Sequence, residues 1–593
     1  MRTRSRLLVC VSLVLSPWFA FGQAPRSTTA IPASAVQSAQ ATNGNAVNIA
    51  GNNNVVNLRD PQVLAILEKL DKKLGEQDRM IHAQNEQISG LGSELSKAVA
   101  NVVRTARQPN ASAEAKKAVI ALEQGNTAPS QTLLHDQETI ALKQANQDAA
   151  LTAQERHRAA ELARQQGALA SLTDVRRALS AYQRAAEYEP DDIWTQLYIG
   201  DLQTKLGQLG PAKRTYLRAQ LIAHAKLTSA PNNTDWQGDL SVSQEKIGDV
   251  LVAQGDLSGA LTAYRKGLAI RETLAQRDPA NTGWQSYLSV SQDDIGDVLV
   301  AQGDLSGALA AYRKGLAIRE TLAQRDPADA DWQRNLSVSD NRIGDVLVAQ
   351  GDRSGALAAY RKGLAIREGL ARRDPANTDW QRDLSVSQEK IGNVLVAQGD
   401  LSGALAAYRK GLAIAETLAH RDPANTDWQR DLSVSQEKIG NVLRAQDDLS
   451  GALATYRKGL AIGEMLADRD PANTDWQRDL SLSQQKIGGV LAAQGDLSGA
   501  LEAYRKGLAI AETLADRDPA DTDWQRDLSV SQEKIGDVLA AQGDLNGALA
   551  AYRKSLAIRE TLARRDPANP KWQRDLSVSQ EKIGNVLRTQ TKK

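Results

Sequence analysis

An all-α chain built as a helical solenoid, with a coiled coil on its N-terminal side, is the fold class that the sequence predicts. Three observations carry this. Trp236, Trp284, Trp332, Trp380, Trp428, Trp476, Trp524 and Trp572 recur at a constant spacing of 48 residues. The stretch from Thr234 to Asn281 is repeated with little change to the C-terminus, which makes seven full units and a final half unit within residues 231–593. Upstream, over residues 61–105, apolar residues recur every seven positions. Self-similarity at a fixed period marks a stacked array, because one supersecondary unit cannot bury its apolar face alone. Such an array grows without a single large core, so the length of 593 residues does not count domains.

The formal net charge is +1 and a typical repeat is close to neutral. The sequence therefore shows no basic stripe of the kind that neutralises phosphates, and nucleic acid is not an expected partner. The first 22 residues carry Arg2, Arg4 and Arg6, an apolar run from Leu7 to Phe21, and Ala20-Phe21-Gly22 before Gln23. This pattern reads as a secretory signal peptide; the alternative, a retained membrane anchor, is opposed by the short run and by Pro17. The protein is expected to be exported to the periplasm or beyond the cell, with no membrane span after cleavage. The only cysteine, Cys10, lies in the signal, so the mature chain has no disulfide or thiolate chemistry.

Residues 23–60 begin with a Ser/Thr/Ala/Pro-rich run with too little apolar surface to fold, and end in an Asn-rich stretch around Gly51-Asn52-Asn53-Asn54. Alternating Val, Ile and Asn there read either as a short hairpin or as disorder. In the following segment Leu67, Leu74, Ile81, Ile88, Leu95 and Val102 occupy one seam position, and Leu70, Gln77, Gln84, Leu91 and Ala98 a second. Six apolar residues in strict register predict a coiled coil over 61–105 that would form a homo-oligomer. Gly75, Gly90 and Gly92 weaken it, and the alternative is an amphipathic helix that folds back on the array. After an Arg107–Ser112 linker, residues 106–230 are helical in pattern, with breaks expected at Gly125-Asn126, Gly167 and Gly207.

Within one 48-residue unit, Thr234 and Gln237 form a T-x-x-Q capping box, repeated at Thr378 with Gln381 and Thr426 with Gln429. Trp236, Leu240, Ile247 and Leu251 fall on one face of the first helix and predict its buried stripe. Gly255-Asp256 ends that helix and caps the second. The second helix carries Leu257, Ala260, Leu261, Tyr264 and Leu268 on one side and Ile270 and Leu274 on another, so it must pack against two neighbours. Asp278-Pro279 closes the unit. The Trp row, with Gly248, Ala260, Tyr264 and Pro279, is assigned to the structural core; a Trp row facing solvent would instead be a binding feature. One unit departs from the others, with Asp447 in place of Gly, Arg444 in place of Val or Ala and Met465 in place of Thr, and is expected to be a local weak point.

Ile247, Gly248, Leu251, Gly255, Ala260 and Tyr264 resemble the small-and-large signature of the tetratricopeptide repeat family, and each recurs at 48-residue spacing with few changes. Ala178, Tyr182, Ala185 and Pro190, then Ile199-Gly200, Gly207, Ala212 and Tyr216, follow the same grammar, so 106–230 reads as degenerate units leading into the array. The resemblance implies a right-handed solenoid of extended repeats, since the family unit is usually about 34 residues and this one is about 14 longer. It also implies that the first helices line a groove for peptide segments or partner proteins. The matching positions are Glu245, Asp249 and Val252, with Glu389, Asn393 and Val396, Glu437 and Asn441, and Glu533 and Asp537. The basic clamp that family members use for acidic C-termini is absent where Glu245 stands, so a neutral or basic segment is the better fit; the alternative is that this row is only a solvated face.

The sharpest catalytic pattern is S-x-x-K, at Ser243–Lys246, Ser387–Lys390, Ser435–Lys438, Ser531–Lys534 and Ser579–Lys582. A serine nucleophile needs one enclosed pocket with an oxyanion hole, which five copies along a solenoid do not supply. His82, His135, His157, His224 and His420 are scattered, and no calcium-loop spacing or phosphate loop occurs. The sequence therefore predicts a protein without catalytic residues, metal or cofactor: an exported scaffold for protein or peptide clients. The alternative is a structural spacer or self-assembling envelope component, which the polar final helix, acting as a cap, would oppose.

Overall fold

In the computed structural model the backbone is described for residues 47–48, 55–56, 60–77, 85–109, 111–145 and 152–591. The expected signal at 1–22, and the leader at 23–60 apart from its two strands and Asp60, lie outside the described residues. Val47–Asn48 (β1) pairs antiparallel with Val55–Val56 (β2), which is the hairpin reading of the Asn-rich stretch. The chain divides into two compact units, Met1–Gln350 and Gly351–Lys593. Both consist of consecutive helices packed as neighbours, an all-α repeat architecture.

The first unit begins with α1 (Pro61–Gln77) and α2 (Asn85–Ala106), followed by α3 (Ala113–Glu123), α4 (Ala128–Ala145), α5 (Thr152–Ala170) and α6 (Val175–Tyr188). Next come α7 (Ile193–Lys205), α8 (Leu209–Ser229), α9 (Thr234–Ala253), α10 (Leu257–Arg277), α11 (Thr282–Ala301), α12 (Leu305–Arg325) and α13 (Ala330–Ala349). The expected coiled coil is corrected here. Leu95, Ala98, Val99, Val102 and Val103 of α2 are buried in one cluster with Val63, Ile66, Leu67 and Leu70 of α1 and Leu122, Leu134, Leu162 and Leu169 of α3, α4 and α5. The buried face of α2 recurs at three- and four-residue steps, wider than the two-position seam of a coiled coil, and that width suits a helix covered by several neighbours. The segment folds back onto its own chain, and the seam residues Leu67, Leu70, Leu95, Ala98 and Val102 are consumed within it.

No boundary separates the degenerate helices from the regular ones, because α8 packs directly on α9. The shared device is a glycine facing a tyrosine. A Cβ on Gly248 would lie 2.4 Å from Tyr264 Cε1, and the same close approach joins Gly200 to Tyr216 and Gly167 to Tyr182. Gly167, expected as a break, is therefore inside α5: the ring of Tyr182 needs the missing side chain, and the helix runs through.

The second unit contains α14 (Arg353–Arg373), α15 (Thr378–Gln398), α16 (Leu401–Arg421), α17 (Thr426–Ala445), α18 (Leu449–Arg469), α19 (Thr474–Ala493), α20 (Leu497–Arg517), α21 (Thr522–Ala541), α22 (Leu545–Arg565) and α23 (Pro570–Thr591). Each short turn uses a left-handed residue followed by an aspartate. Gly255 has φ +78° and the Asp256 side chain accepts the Gly259 N–H at 3.0 Å. Asp447 occupies this left-handed place at φ +64° and is the one residue other than glycine at positive φ among the described residues. The longer turn ends the second helix at Arg277 before Asp278-Pro279, as expected. The N-cap of the next first helix, however, is Asn or Asp and not the expected threonine: Asn233 accepts the Trp236 N–H and Asn377 that of Trp380. Thr234 and Thr378 are the first helical residues, while Gln237 Nε2 donates to the Pro231 carbonyl.

Ala260 and Tyr264 are buried, as assigned. The Trp row is not uniformly core. Trp572 is buried, whereas Trp236, Trp284, Trp332, Trp380, Trp428, Trp476 and Trp524 are half-buried. Each stands on the first turn of its helix, beside the exposed Asp-Pro turn, where the stack covers only part of the indole. Pro279 itself is exposed, so its role is to stop the helix and not to fill the core.

Candidate functional site

The site positions lie along the first helices of the repeats, in the segment S-x-S-Q-E-K-I-G-D. Ser243 is buried and donates to the Asp239 carbonyl at 2.9 Å, as Ser387 does to Asp383 at 3.1 Å. These serines also receive arginines from the preceding second helix. Arg367 Nη1 donates to Ser387 Oγ at 2.8 Å and Arg559 Nη1 to Ser579 Oγ at 2.9 Å. The S-x-x-K lysines are engaged in ion pairs, Lys246 with Asp201 at 2.9 Å and Lys582 with Glu533 at 2.8 Å. The pattern that resembled a nucleophile helix thus serves the contact between repeats. Among the described residues no group of three or more His, Cys, Asp or Glu side chains is placed to hold a metal ion, and no helix is long and apolar enough to cross a membrane.

The predicted groove row proves to be two kinds of position. Glu245 and Glu533 are buried and pair with Arg271 and Arg559 of their own repeats, so neither is an open groove residue. An arginine at the middle of the second helix reaches back between the two helices, which the first-helix sequence alone does not reveal. Glu389 and Glu437 are half-buried; the matching second-helix positions hold Ala415 and Gly463, and the two glutamates pair instead with Lys438 and Lys486 of the following repeat. Lys582 bridges Glu533 in the same way. Negative charge along the row is therefore largely balanced within the chain, and the expectation of an acidic groove fails in the second unit.

The Asp/Asn positions form a connected series. The Tyr264 hydroxyl donates to Asp249 at 2.7 Å, Tyr408 to Asn393 at 2.7 Å, Tyr456 to Asn441 at 2.6 Å and Tyr552 to Asp537 at 2.8 Å. A cation from the next first helix completes several of these. Arg342 Nη1 donates to Asp297 at 2.8 Å and its guanidinium lies 5.7 Å from the centre of the Tyr312 ring. Lys582 donates to Asp537 at 2.6 Å and lies 5.7 Å from the Tyr552 ring centre. Carboxylate, tyrosine ring and cation make a closed cage between neighbouring repeats. Burial raises these tyrosines above their ordinary range, and the adjacent carboxylates raise them further, with Tyr456 pushed up to about 12 by burial and Glu437 against Arg444. They stay neutral donors at physiological pH. What remains open on the row is Val396 and Asn441, both exposed, with Val252 half-buried.

Two columns of residues were missed from the sequence although the repeats display them. One is the buried arginine at Arg271, Arg319, Arg367 and Arg559, replaced by Ala415, Gly463 and Ala511 in the other three repeats. The other is the cation column, which reads Lys246, Asp294, Arg342, Lys390, Lys438, Lys486, Lys534 and Lys582. Asp294 alone reverses the sign.

A family model described as tetratricopeptide repeat matches residues 289–329 and 530–567, stretches that each run from the middle of a first helix through the second helix. No curated protein matches the chain in sequence. Among solved structures, a signal-transduction ATPase with a tetratricopeptide repeat sensor from Pyrococcus horikoshii is similar at 12% identity and a TM-score of 0.42, covering 78% of this chain and 64% of that one. A putative kinesin light chain from Podosopora anserina, with nearly identical tetratricopeptide-like repeats, is similar at 16% identity and a TM-score of 0.31, over 40% of this chain and 98% of its own. A tetratricopeptide repeat protein from Parabacteroides merdae aligns at 13% identity and a TM-score of 0.30, over 58% of this chain and 98% of that one. The two matched stretches, with near-identical repeats on either side of them, place this chain in the tetratricopeptide repeat family.

Proposed function

We propose that the protein is an exported scaffold that holds partner proteins or peptide segments against the row of first helices. The observation that carries this reading is the register of that row: successive repeats present Val252, Val396 and the half-buried or exposed Asp/Asn positions at the same place, so one extended partner meets a periodic surface. A repeated weak contact becomes durable through effective concentration. Export rests on the Arg-apolar-small pattern of residues 1–22. Capture from envelope extract with the full chain, compared with Val252→Asp/Val396→Asp, tests the surface: a partner lost from the variant supports the scaffold. A fusion of residues 1–60 to a reporter active only outside the cytoplasm tests export.

A second reading, a structural spacer, is favoured by the bonds that tie each repeat to the next. Arg382, Arg430, Arg478 and Arg526 each pair with an aspartate of the following first helix, Asp431, Asp479, Asp527 and Asp575. Arg421, Arg469, Arg517 and Arg565 donate to carbonyls of the preceding long turn, at 2.8, 2.7, 2.9 and 2.6 Å. If both baits return the same proteins or none, the spacer moves ahead.

A further inference from the structure

The cage between repeats is filled by the chain itself almost wherever it occurs. Arg342 completes the one formed by Asp297 and Tyr312, Lys582 the one formed by Glu533, Asp537 and Tyr552, and Lys438 reaches Glu389 and Asn393. At the junction of α9, α10 and α11 the same parts recur, with Glu245 and Asp249 on α9 and Tyr264 on α10, but the residue delivered by α11 is Asp294. A carboxyl on a two-atom stem replaces an ammonium or guanidinium on a long one. It brings a third acid to the place where its neighbours bring a base, and it leaves the volume of the longer side chain unfilled.

The local electrostatics report the mismatch. Asp294 Oδ2 is closed to solvent and has no hydrogen-bond partner, unlike the paired carboxylates of the completed cages. Burial first, then Glu245, Asp249 and Asp297, hold its carboxyl well above the usual range against the pull of Arg271. Asp249 is pushed up to about 6 by burial, with Glu245 and Asp201 adding to the rise and Lys246 and the Tyr264 hydroxyl opposing it. Arg271 is already engaged by Glu245, Ser241 and Ser291.

We propose that this junction is a receptor for one lysine or arginine side chain of a bound polypeptide, with Asp294, Asp249 and Glu245 supplying the charge and Tyr264 the aromatic face. It rests on the reading of the first helices as a partner-binding surface and gives that surface one fixed point. The completed cages in the same chain show the chemistry of the ligand: a cation that reaches a carboxylate while lying over a tyrosine ring. Partner specificity would then be set by a single basic residue at the first regular junction, whereas the rest of the row is charge-balanced and tolerant.

The test uses the full chain and fluorescence anisotropy with two labelled peptides, (Gly-Lys)4 and (Gly-Gln)4. Wild type is expected to bind the lysine peptide and not the glutamine peptide. Asp294→Lys places the chain's own ammonium in the cage and should weaken binding at least tenfold; Asp294→Asn, which keeps the size, should weaken it about threefold. Glu437→Gln, at a junction already served by Lys486, should change it less than twofold. Equal binding by wild type and Asp294→Lys, or no binding by either, overturns the receptor, once circular dichroism shows both variants helical. If spermidine bound wild type as tightly as the peptide and lost the same factor in Asp294→Lys, the polypeptide assignment would fall to a free polyamine. A partner captured equally by wild type and Asp294→Lys sinks the receptor while leaving the scaffold; loss of all capture by wild type sinks the scaffold, and the peptide arm still decides the receptor.

Discussion

Replacing Arg559 by alanine should locally unlock the last repeat of the second unit. Its guanidinium is buried at 4% exposure and joins three helices. Nη1 donates to the Asp575 carbonyl and Ser579 Oγ of α23, at 2.8 and 2.9 Å, and Nε donates to Ser529 Oγ of α21 at 3.3 Å. Glu533 of α21 completes the set. Removing one partner of a buried ion pair costs about 3–5 kcal/mol because the other charge is left uncompensated. Here Glu533 keeps Lys582, and Ser529 has a fallback that the chain itself demonstrates: where Ala415 and Gly463 stand in for the arginine, Ser385 and Ser433 turn to the Gly411 and Gly459 carbonyls at 3.0 Å. The expected loss is therefore at the low end, about 3 kcal/mol. Hydrogen exchange is the fitting assay, since a repeat array opens locally, and amides of α21–α23 should exchange about 100-fold faster, with those of α15–α17 unchanged. Arg559→Lys should recover little, because an ammonium cannot reproduce the fork. Exchange within threefold of wild type for Arg559→Ala would refute the view that the buried arginine holds these helices together.

Asp447→Gly should stabilise the second unit by about 0.5–1 kcal/mol, since an L-residue at φ +64° bears a steric cost that glycine avoids; an unchanged or lower denaturant midpoint would contradict this. Gly248→Ala should cost about 2–3 kcal/mol in a chemical melt, because its Cβ would meet the Tyr264 ring at 2.4 Å and a buried ring has little room to yield. Trp380→Ala should cost about 1.5–2.5 kcal/mol, roughly half the figure for a fully buried tryptophan, in keeping with its half-buried position. The α9–α11 junction should be more protected from exchange at pH 5 than at pH 7.5. Asp249 and Asp294 have raised folded-state pKa values, so their contribution is present below the ordinary carboxylate range and is lost as pH rises through about 6 for Asp249. The groups facing them are Glu245, Lys246, Asp201, Asp297, Arg271 and Tyr264; Asp294→Asn should flatten the dependence, and a flat wild-type profile would contradict it.

By itself the sequence determined the helices, their ends and their pairing. Gly255, Asp256 and Pro279 act through the backbone of their own turn, so their meaning is local and a 48-residue repeat states it seven times. It also marked Gly248 and Tyr264 as partners by position, because two adjacent helices joined by a short turn leave few other contacts. Only the tertiary structure decided what the charged residues do. Glu245 read from α9 alone was a groove residue; it became a buried partner once Arg271, 26 positions later, was folded against it. The seven-residue seam of α2 read as an oligomer contact until α5 supplied the covering surface from within the chain. Periodicity reports which face of a helix must be covered, but the pattern is the same whether the cover comes from another molecule or from the same one. The direction of a long charged side chain, and hence whether it is spent between repeats or left for a ligand, depends on residues tens of positions away.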